Sequence, residues 1–230
     1  APILSGMEVL AYNTDLVDAE EAKSWDVLFS EKYKQKNAYI IQDMMSIIML
    51  KLGYDGNMVA YMDDPDKAAA IVEEAKQFLI EKKPYVRKYY DGGAEIQQMF
   101  VNQDIALGHS WNGPAAALIN DGFPLAMTIP REGSYGFVYT YNIANNAPNE
   151  DNAYKFLDAI LASPEIGASM TKASGFISTY KGATEFLTDL EKKSTAFTDE
   201  ELANLQFFRA EANEMKYGLV DPAVEAIKAA

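Results

Sequence analysis

The sequence predicts an α/β fold with a mixed, mostly parallel sheet and helices on both faces. Short apolar runs of strand character alternate with longer segments of helical spacing along the chain. Hydrophobic residues make up 49% of the 230 residues, enough for the core of one large or two small domains. No internal repeat, Gly/Ser linker or low-complexity tract breaks this alternation.

The N-terminal residues predict a strand followed by an acidic helix. Residues 7–12 (MEVLAY) have strand character and end at a polar turn. Asp18 is expected to cap the helix AEEAKSWDVLF. In that helix Trp25 and Phe29 are one turn apart and predict a buried face.

A second strand and two helices follow. Residues 38–41 (AYII) are a buried strand candidate that runs into the helix MMSIIMLKLGY, which ends at Gly53. A long amphipathic helix begins at Asp64 and stops at Pro84. Asp43 therefore lies at a strand-to-helix junction, where its carboxylate caps the helix, faces a ligand, or does both.

The segment 104–113 (DIALGHSWNG) is the most informative stretch. Its apolar run stops at Trp111, and a helix-like PAAALI follows. Such strand ends are where α/β proteins bind small ligands, although a Trp before a turn also serves as a lid on the core. His109, the only histidine, is interpreted as a satisfied, partly buried structural residue.

An aromatic strand and a helical C-terminal part complete the pattern. In YGFVYTYNIA, Tyr135, Phe137, Tyr139 and Tyr141 alternate with small residues and share one face, which is either a cleft wall or a core face. Helices are expected at 149–161, at 164–171 and from Thr198 onward, where Glu201 completes a capping box.

Composition excludes several classes of function. The net charge of −14 opposes nucleic acid and anionic membranes. The chain has no Cys, so thiolate nucleophiles and Cys-based zinc sites are excluded, and a single His excludes His-rich metal sites. No GxSxG, P-loop, HExxH or GxGxxG motif is present, and no stretch is apolar for the length of a bilayer. We expect no enzyme, no cofactor and no metal.

Several segments, taken in order, resemble the extracytoplasmic substrate-binding proteins of spermidine/putrescine ABC transporters. The resemblance covers essentially the whole chain, and LGYDGN, WNG and PREG are its most specific parts. The other matching segments are SWDVLFSEKYK, YDGG, ALGHSWNGPAAAL, IPREGSYGF, NAYKFLDAILASPEIGASM and SGFIS. It implies a lobe of the type II periplasmic-binding-protein-like fold, an extracytoplasmic location, a polyamine or related amine as solute, and an ABC permease as partner.

The resemblance also implies a division of the chain. Residues 1–141 correspond to an α/β domain of the second lobe, 142–180 to a segment that crosses back to the first lobe, and 181–230 to a helical segment that returns. Most of the first lobe is then expected outside this chain. The chain is an excised domain, one part of a fused transporter polypeptide, or a member without half of its clamp, with an anchor or permease elsewhere holding it at the membrane.

Site residues are implied one by one. Trp111 matches an aromatic that stacks on the methylene chain of a polyamine, and Asp43 matches a carboxylate that pairs with an ammonium group. Phe137 matches an aromatic of the cleft and Phe176 one near the hinge. Tyr135 is placed on the same wall, and Tyr139 stands where the family has a further carboxylate.

Two departures affect the expected ligand. The second carboxylate that the family has one turn before Asp43 is absent here, and the one at Tyr139 is replaced. A buried ammonium group without a paired charge is strongly disfavoured. The ligand is therefore a monoamine, a less charged molecule, or a polyamine held by aromatic rings.

The expected function is binding of a small cationic solute and its delivery to an ABC permease. Two alternatives remain open. The chain is a permease-fused or ligand-free interaction domain of a transporter, or it is an α/β hydrolase or transferase.

Overall fold

One long strand organises the molecule. The computed structural model describes all 230 residues. The strands and helices follow in chain order: β1 (Pro2–Asn13), β2 (Asn37–Tyr39), α1 (Ile41–Lys51), α2 (Pro65–Lys82), β3 (Lys88–Tyr89), α3 (Gly93–Val101), β4 (Leu107–Trp111), α4 (Asn112–Asn120), β5 (Leu125–Thr128), β6 (Ser134–Thr140), α5 (Glu150–Ile160), α6 (Pro164–Ser174), β7 (Ile177–Ser178), α7 (Asp189–Ser194), α8 (Asp199–Ala203), β8 (Leu205–Phe207) and α9 (Asn213–Ala229).

The sheet is mixed, as predicted. Its main strand order is β3-β2-β4-β1-β6-β8, and β5 and β7 also pair with β1. β2 runs parallel to β3 and β4, and β6 runs parallel to β8. Every pair of β1 is antiparallel, with Glu8 opposite Trp111 and Gly6 opposite Phe137. Antiparallel pairing has a larger share than the strand–helix alternation suggests, because β1 is long enough to pair with four strands.

Helices cover both faces of the sheet. Leu10 and Tyr12 of β1 belong to a core of 31 buried residues that includes the apolar faces of α1, α2 and α9. Ala11, which points the other way, belongs to a second core of 11 buried residues under α3 and α4. The methionines of α1 and the apolar face of α2 are buried, so both helices pack against the sheet as part of the core.

Elements with strong local signals begin where predicted. The Asp64 carboxylate caps α2 by accepting a hydrogen bond from the Lys67 N–H at 3.0 Å. Thr198 and Glu201 form the predicted capping box at the start of α8. None of the helices combines the length and the apolar character needed to cross a lipid bilayer.

The predicted acidic helix after Asp18 is wrong. The segment forms two 3₁₀ turns, Glu21–Lys23 and Trp25–Phe29, with Ser24 extended between them. Ser24 and the Trp25 N–H both donate hydrogen bonds to the Glu132 carboxylate, and the Trp25 indole donates to the Gly133 carbonyl at 2.9 Å. These distant contacts break the helix, although Trp25 is fully buried as predicted.

The helical C-terminal part is also more divided than predicted. The short strand β8 separates α8 from α9 and pairs with β6. The Asn57 side chain fixes the backbone beyond β8, because its Nδ2 donates to the Phe207 carbonyl at 3.1 Å and its Oδ1 accepts from the Arg209 N–H at 3.2 Å.

Candidate functional site

A pocket of about 300 Å³ opens where the parallel strands β2, β3 and β4 end. The carboxyl ends of parallel strands are the usual place for a ligand in open α/β sheets. The lining combines aromatic, acidic and basic side chains, which is typical of sites for small polar solutes. The lining residues are Ile40, Gln42, Asp43, Ser46, Asp91, Trp111, Phe208, Lys216 and Tyr217.

Asp43 and Trp111 line this pocket together. Asp43 is in the first turn of α1, but Ile40 occupies the N-cap position and no side chain caps the helix. The interpretation of Asp43 as the N-cap is therefore wrong. Because the backbone N–H groups of the first turn favour negative charge nearby, the helix supports the carboxylate while leaving it available to a ligand.

The Asp43 carboxyl group ionises close to neutral pH. Burial and the neighbouring Glu8 raise its pKa to about 7, against the opposing effects of His109, Lys216 and the Trp111 indole. An ammonium group arriving in the pocket would favour the ionised form. Binding of a cation at Asp43 is thus coupled to release of a proton.

A buried pair, Glu8 and His109, lies close to Asp43. The Glu8 Oε2 and His109 Nε2 atoms are 3.5 Å apart. Burial raises the pKa of Glu8 to about 8 and lowers that of His109 to about 4, so both are neutral at pH 7 and form no ion pair. The prediction of a satisfied, partly buried histidine is wrong, because the ring is fully buried and both nitrogens lack a hydrogen-bond partner.

Glu8, Asp43 and His109 together could ligate a divalent cation. One ligand atom from each lies within 4.8 Å of the others. One imidazole and two carboxylates form a donor set that suits several transition metals. The positive charge of Lys216 acts on Glu8 and Asp43 as well and would oppose a cation there.

Lys216 of α9 is buried beside the aromatic rings of the pocket. Its Nζ lies 5.4 Å from the centroid of the Phe208 ring, 5.6 Å from that of Tyr135 and 5.8 Å from that of Tyr217. Such distances allow cation–π attraction. Burial lowers the pKa of the ammonium group, and the acidic Glu8 and Asp43 oppose that shift.

The predicted aromatic residues do not all reach this pocket. Tyr135 is fully buried and stacks on Phe208 at a centroid distance of 4.6 Å, so its ring lies behind the pocket wall. Its expected place on a cleft wall is wrong because Phe208 covers it. Phe137, Tyr139 and Phe176 form a separate edge-to-face cluster with centroids 5.2–5.8 Å apart. Ligand contact by that cluster remains a prediction.

The residues after Trp111 hold the two aromatic regions next to each other. The Asn112 Oδ1 accepts from the Met7 N–H at 2.9 Å, and its Nδ2 donates to the Gly175 carbonyl at 3.3 Å. A Cβ atom on Gly113 would lie only 2.8 Å from Phe176 Cζ. The residues Trp111-Asn112-Gly113 therefore have three separate roles. The Trp111 indole faces the pocket, the Asn112 amide connects its own segment to Met7 and Gly175 by hydrogen bonds, and the missing side chain of Gly113 leaves space for the Phe176 ring.

Sequence reasoning missed most of the pocket lining. Behind the pocket, Glu8 interrupts the apolar run MEVLAY, a signal for a buried acidic residue that could have been used. Lys216 and Phe208 gave no such signal, because they lie in the C-terminal part that was interpreted as plain helix. The remaining missed residues are Ile40, Gln42, Ser46, Asp91 and Tyr217.

A second hollow of about 390 Å³ is less suited to an organic ligand. It lies between Lys23, Arg131 and the start of α8. Ile129 is its one hydrophobic lining residue, and no aromatic ring faces it. The pocket at the strand ends offers both apolar surface and charge and is the stronger candidate.

The known proteins that this chain resembles are bacterial solute-binding proteins. The family model described as "Bacterial extracellular solute-binding protein" matches residues 1–199. The spermidine/putrescine-binding periplasmic protein of Salmonella typhimurium is 26% identical over 179 residues, which cover 76% of this chain and 48% of that protein. The putrescine/agmatine-binding protein of Pseudomonas aeruginosa is 26% identical over 191 residues, covering 76% of this chain and 50% of that protein.

A solved structure shares the fold. The putative spermidine/putrescine ABC transporter from Listeria monocytogenes superimposes with a TM-score of 0.81 at 22% identity, covering 99% of this chain and 68% of that chain. The likeness confirms the predicted α/β fold of periplasmic binding proteins. The chain spans about half the length of the curated relatives it matches.

Proposed function

Because this chain belongs to the bacterial extracellular solute-binding protein family, we propose that it binds a small solute with an alkylammonium group and delivers it to an ABC transporter permease outside the cytoplasm. Solute-binding transport proteins are not an enzyme family, and we propose a binding role without catalysis. The names of the relatives, which specify spermidine, putrescine and agmatine, support a polyamine or related amine as the ligand.

The observation that most supports this function is that Asp43 and Trp111 line the same pocket. The carboxylate offers a charge partner for an ammonium group, and the indole face offers apolar contact and cation–π attraction to the adjoining methylene groups. Both residues match positions that the family resemblance implies for ligand binding, which adds support to the geometry.

We also propose the division of the chain into residues 1–141, 142–180 and 181–230 as parts of a two-lobed binding protein. The exposed apolar surface of α5 supports this division. No residue of α5 is buried, and Tyr154 and Phe156 are 54% and 53% exposed. An apolar surface of this kind is available for contact with a further lobe.

Titration calorimetry with linear alkylamines and polyamines tests the binding role. We expect Asp43→Asn to weaken the binding of alkylammonium ligands by tenfold or more, because the amide keeps the shape of the side chain but removes its charge. Asp66→Asn is the matched control, since Asp66 is also in the first turn of a helix but lies in α2, away from the pocket. Equal affinities for wild type and Asp43→Asn would contradict the proposed function.

A further inference from the structure

Lys216 is the only lysine or arginine that is buried. Its backbone N–H donates to the Ala212 carbonyl at the start of the helix, but its ammonium group has no ion-pair partner within 4.0 Å and donates no hydrogen bond within the chain, although it has three N–H donors. Burying a charge without pairing it carries a large desolvation cost. The Lys216 ammonium is therefore a charged donor with unmet bonding capacity at the wall of the pocket.

The surrounding residues compensate that charge only in part. Three aromatic rings have centroids 5.4–5.8 Å from Nζ, close enough for cation–π attraction. Nζ itself is not among the fully enclosed polar atoms, so it can be reached from the pocket. Glu8 is too far to pair with it and is neutral at pH 7 because burial raises its pKa to about 8. An anion that enters the pocket would supply both charge and acceptors.

The acidic residues and the lysine of the pocket come from different parts of the sheet. Asp43, Asp91 and Trp111 follow or end the strands β2, β3 and β4. Lys216 and Phe208 come from the segment beyond β8. Both charged groups line the same pocket of about 300 Å³, and Lys216 is near enough to Asp43 for its positive charge to lower the pKa of that carboxyl. A short linear molecule in this pocket can therefore meet both groups.

We propose that Lys216 binds an anionic group of the solute whose ammonium group binds Asp43, so that the ligand is a zwitterion of the ω-amino acid type. Recognition of the ammonium group by Asp43 rests on the proposed function. Recognition of the anionic group is the new part and rests on Lys216. A diamine would bring its second positive charge toward the Lys216 ammonium, which disfavours it against an amino acid of equal length.

Binding of matched ligands to the whole chain tests the inference. For chains of four to six carbons, calorimetry at pH 7.5 compares the α,ω-diamine, the ω-amino acid and the plain alkylamine. This pH lies above the pKa of Asp43, about 7, and below that of Glu8, about 8. We expect the amino acid to bind at least tenfold more tightly than the diamine. Lys216→Met should bind the amino acid only as tightly as it binds the plain alkylamine. Lys216→Arg should keep the preference for the amino acid over the diamine.

Lys228→Met is the matched control, because it removes a lysine from the exposed end of the same helix. Circular dichroism of each variant confirms its fold. A diamine that binds wild type as tightly as the amino acid, or an amino acid to diamine ratio unchanged in Lys216→Met, would overturn the inference. If the ratio is unchanged while Asp43→Asn still loses alkylammonium binding, the proposed function stands and the zwitterion is wrong. If no ligand of any class binds, both are wrong.

Discussion

At the scale of single residues, Asp43 and Trp111 act on different properties of a ligand. The carboxylate acts on charge, whereas the indole acts on apolar contact as well as on charge. We predict that Trp111→Ala weakens hexylammonium and 1-hexanol by similar factors, roughly 5- to 30-fold, as expected for the loss of about 1–2 kcal/mol of contact.

Calorimetry with the two ligands measures both losses. Phe186→Ala, which removes an exposed ring outside the pocket, is the control. A loss confined to the charged ligand would show that the indole acts only through cation–π attraction.

Glu8 and His109 impose opposite pH dependences on stability. The folded protein retains the proton of Glu8 up to about pH 8, although the ordinary pKa is 4.5, so the stability it contributes is lost as the pH rises through this range. His109 has a folded pKa of about 4 against an ordinary value of 6.5, so its contribution is lost as the pH falls. Between pH 6.5 and 8 the Glu8 effect acts without that of His109.

We predict that the free energy of unfolding falls by about 1.4 kcal/mol per pH unit from Glu8 alone in this window. Asp43 also makes the free energy of unfolding fall as the pH rises toward its pKa of about 7. The lowered pKa of Lys216 has the opposite effect and makes this free energy rise with pH. Urea unfolding of wild type and Glu8→Gln isolates the Glu8 part as a difference. Parallel pH profiles for the two proteins would show that Glu8 ionises normally.

At the scale of elements, the start of α4 depends on close approach by another segment. A Cβ atom on Gly113 would lie 2.8 Å from both the Ser174 carbonyl oxygen and Phe176 Cζ. We predict that Gly113→Ala lowers the free energy of unfolding by roughly 1–3 kcal/mol, because the backbone of residue 174 must shift. Gly92→Ala is the matched control, since a Cβ there meets nothing within 4 Å. Equal urea midpoints for both variants would contradict this prediction.

Elements with local start signals were predictable, and those fixed by distant contacts were not. The helix α2 begins at Asp64-Pro65 because both residues favour a helix start regardless of their surroundings. The turns around Ser24 depend on Glu132, and the end of β8 depends on Asn57. Periodicity within a short window contains no information on such partners, so a helix was expected in both places.

At the scale of the whole molecule, the sequence predicted two of the nine residues that line the pocket. Asp43 and Trp111 both follow parallel strands, and the carboxyl ends of such strands meet at one edge of a sheet, so their proximity could be inferred. Lys216 arrives from the last helix through a strand, β8, that the sequence did not reveal. The charge that distinguishes a zwitterion from a diamine was therefore hidden until the sheet order was known.

The long strand β1 has a consequence for how the chain folds. It precedes all of its partners in this chain: the nearest in sequence is Leu107 of β4, opposite Tyr12, and the other partners come later still. A structure dominated by such non-local pairing has a high contact order and folds slowly. Until β4 to β7 emerge, an apolar strand edge stays unpaired and open to aggregation, which makes the nascent chain a natural client for chaperones.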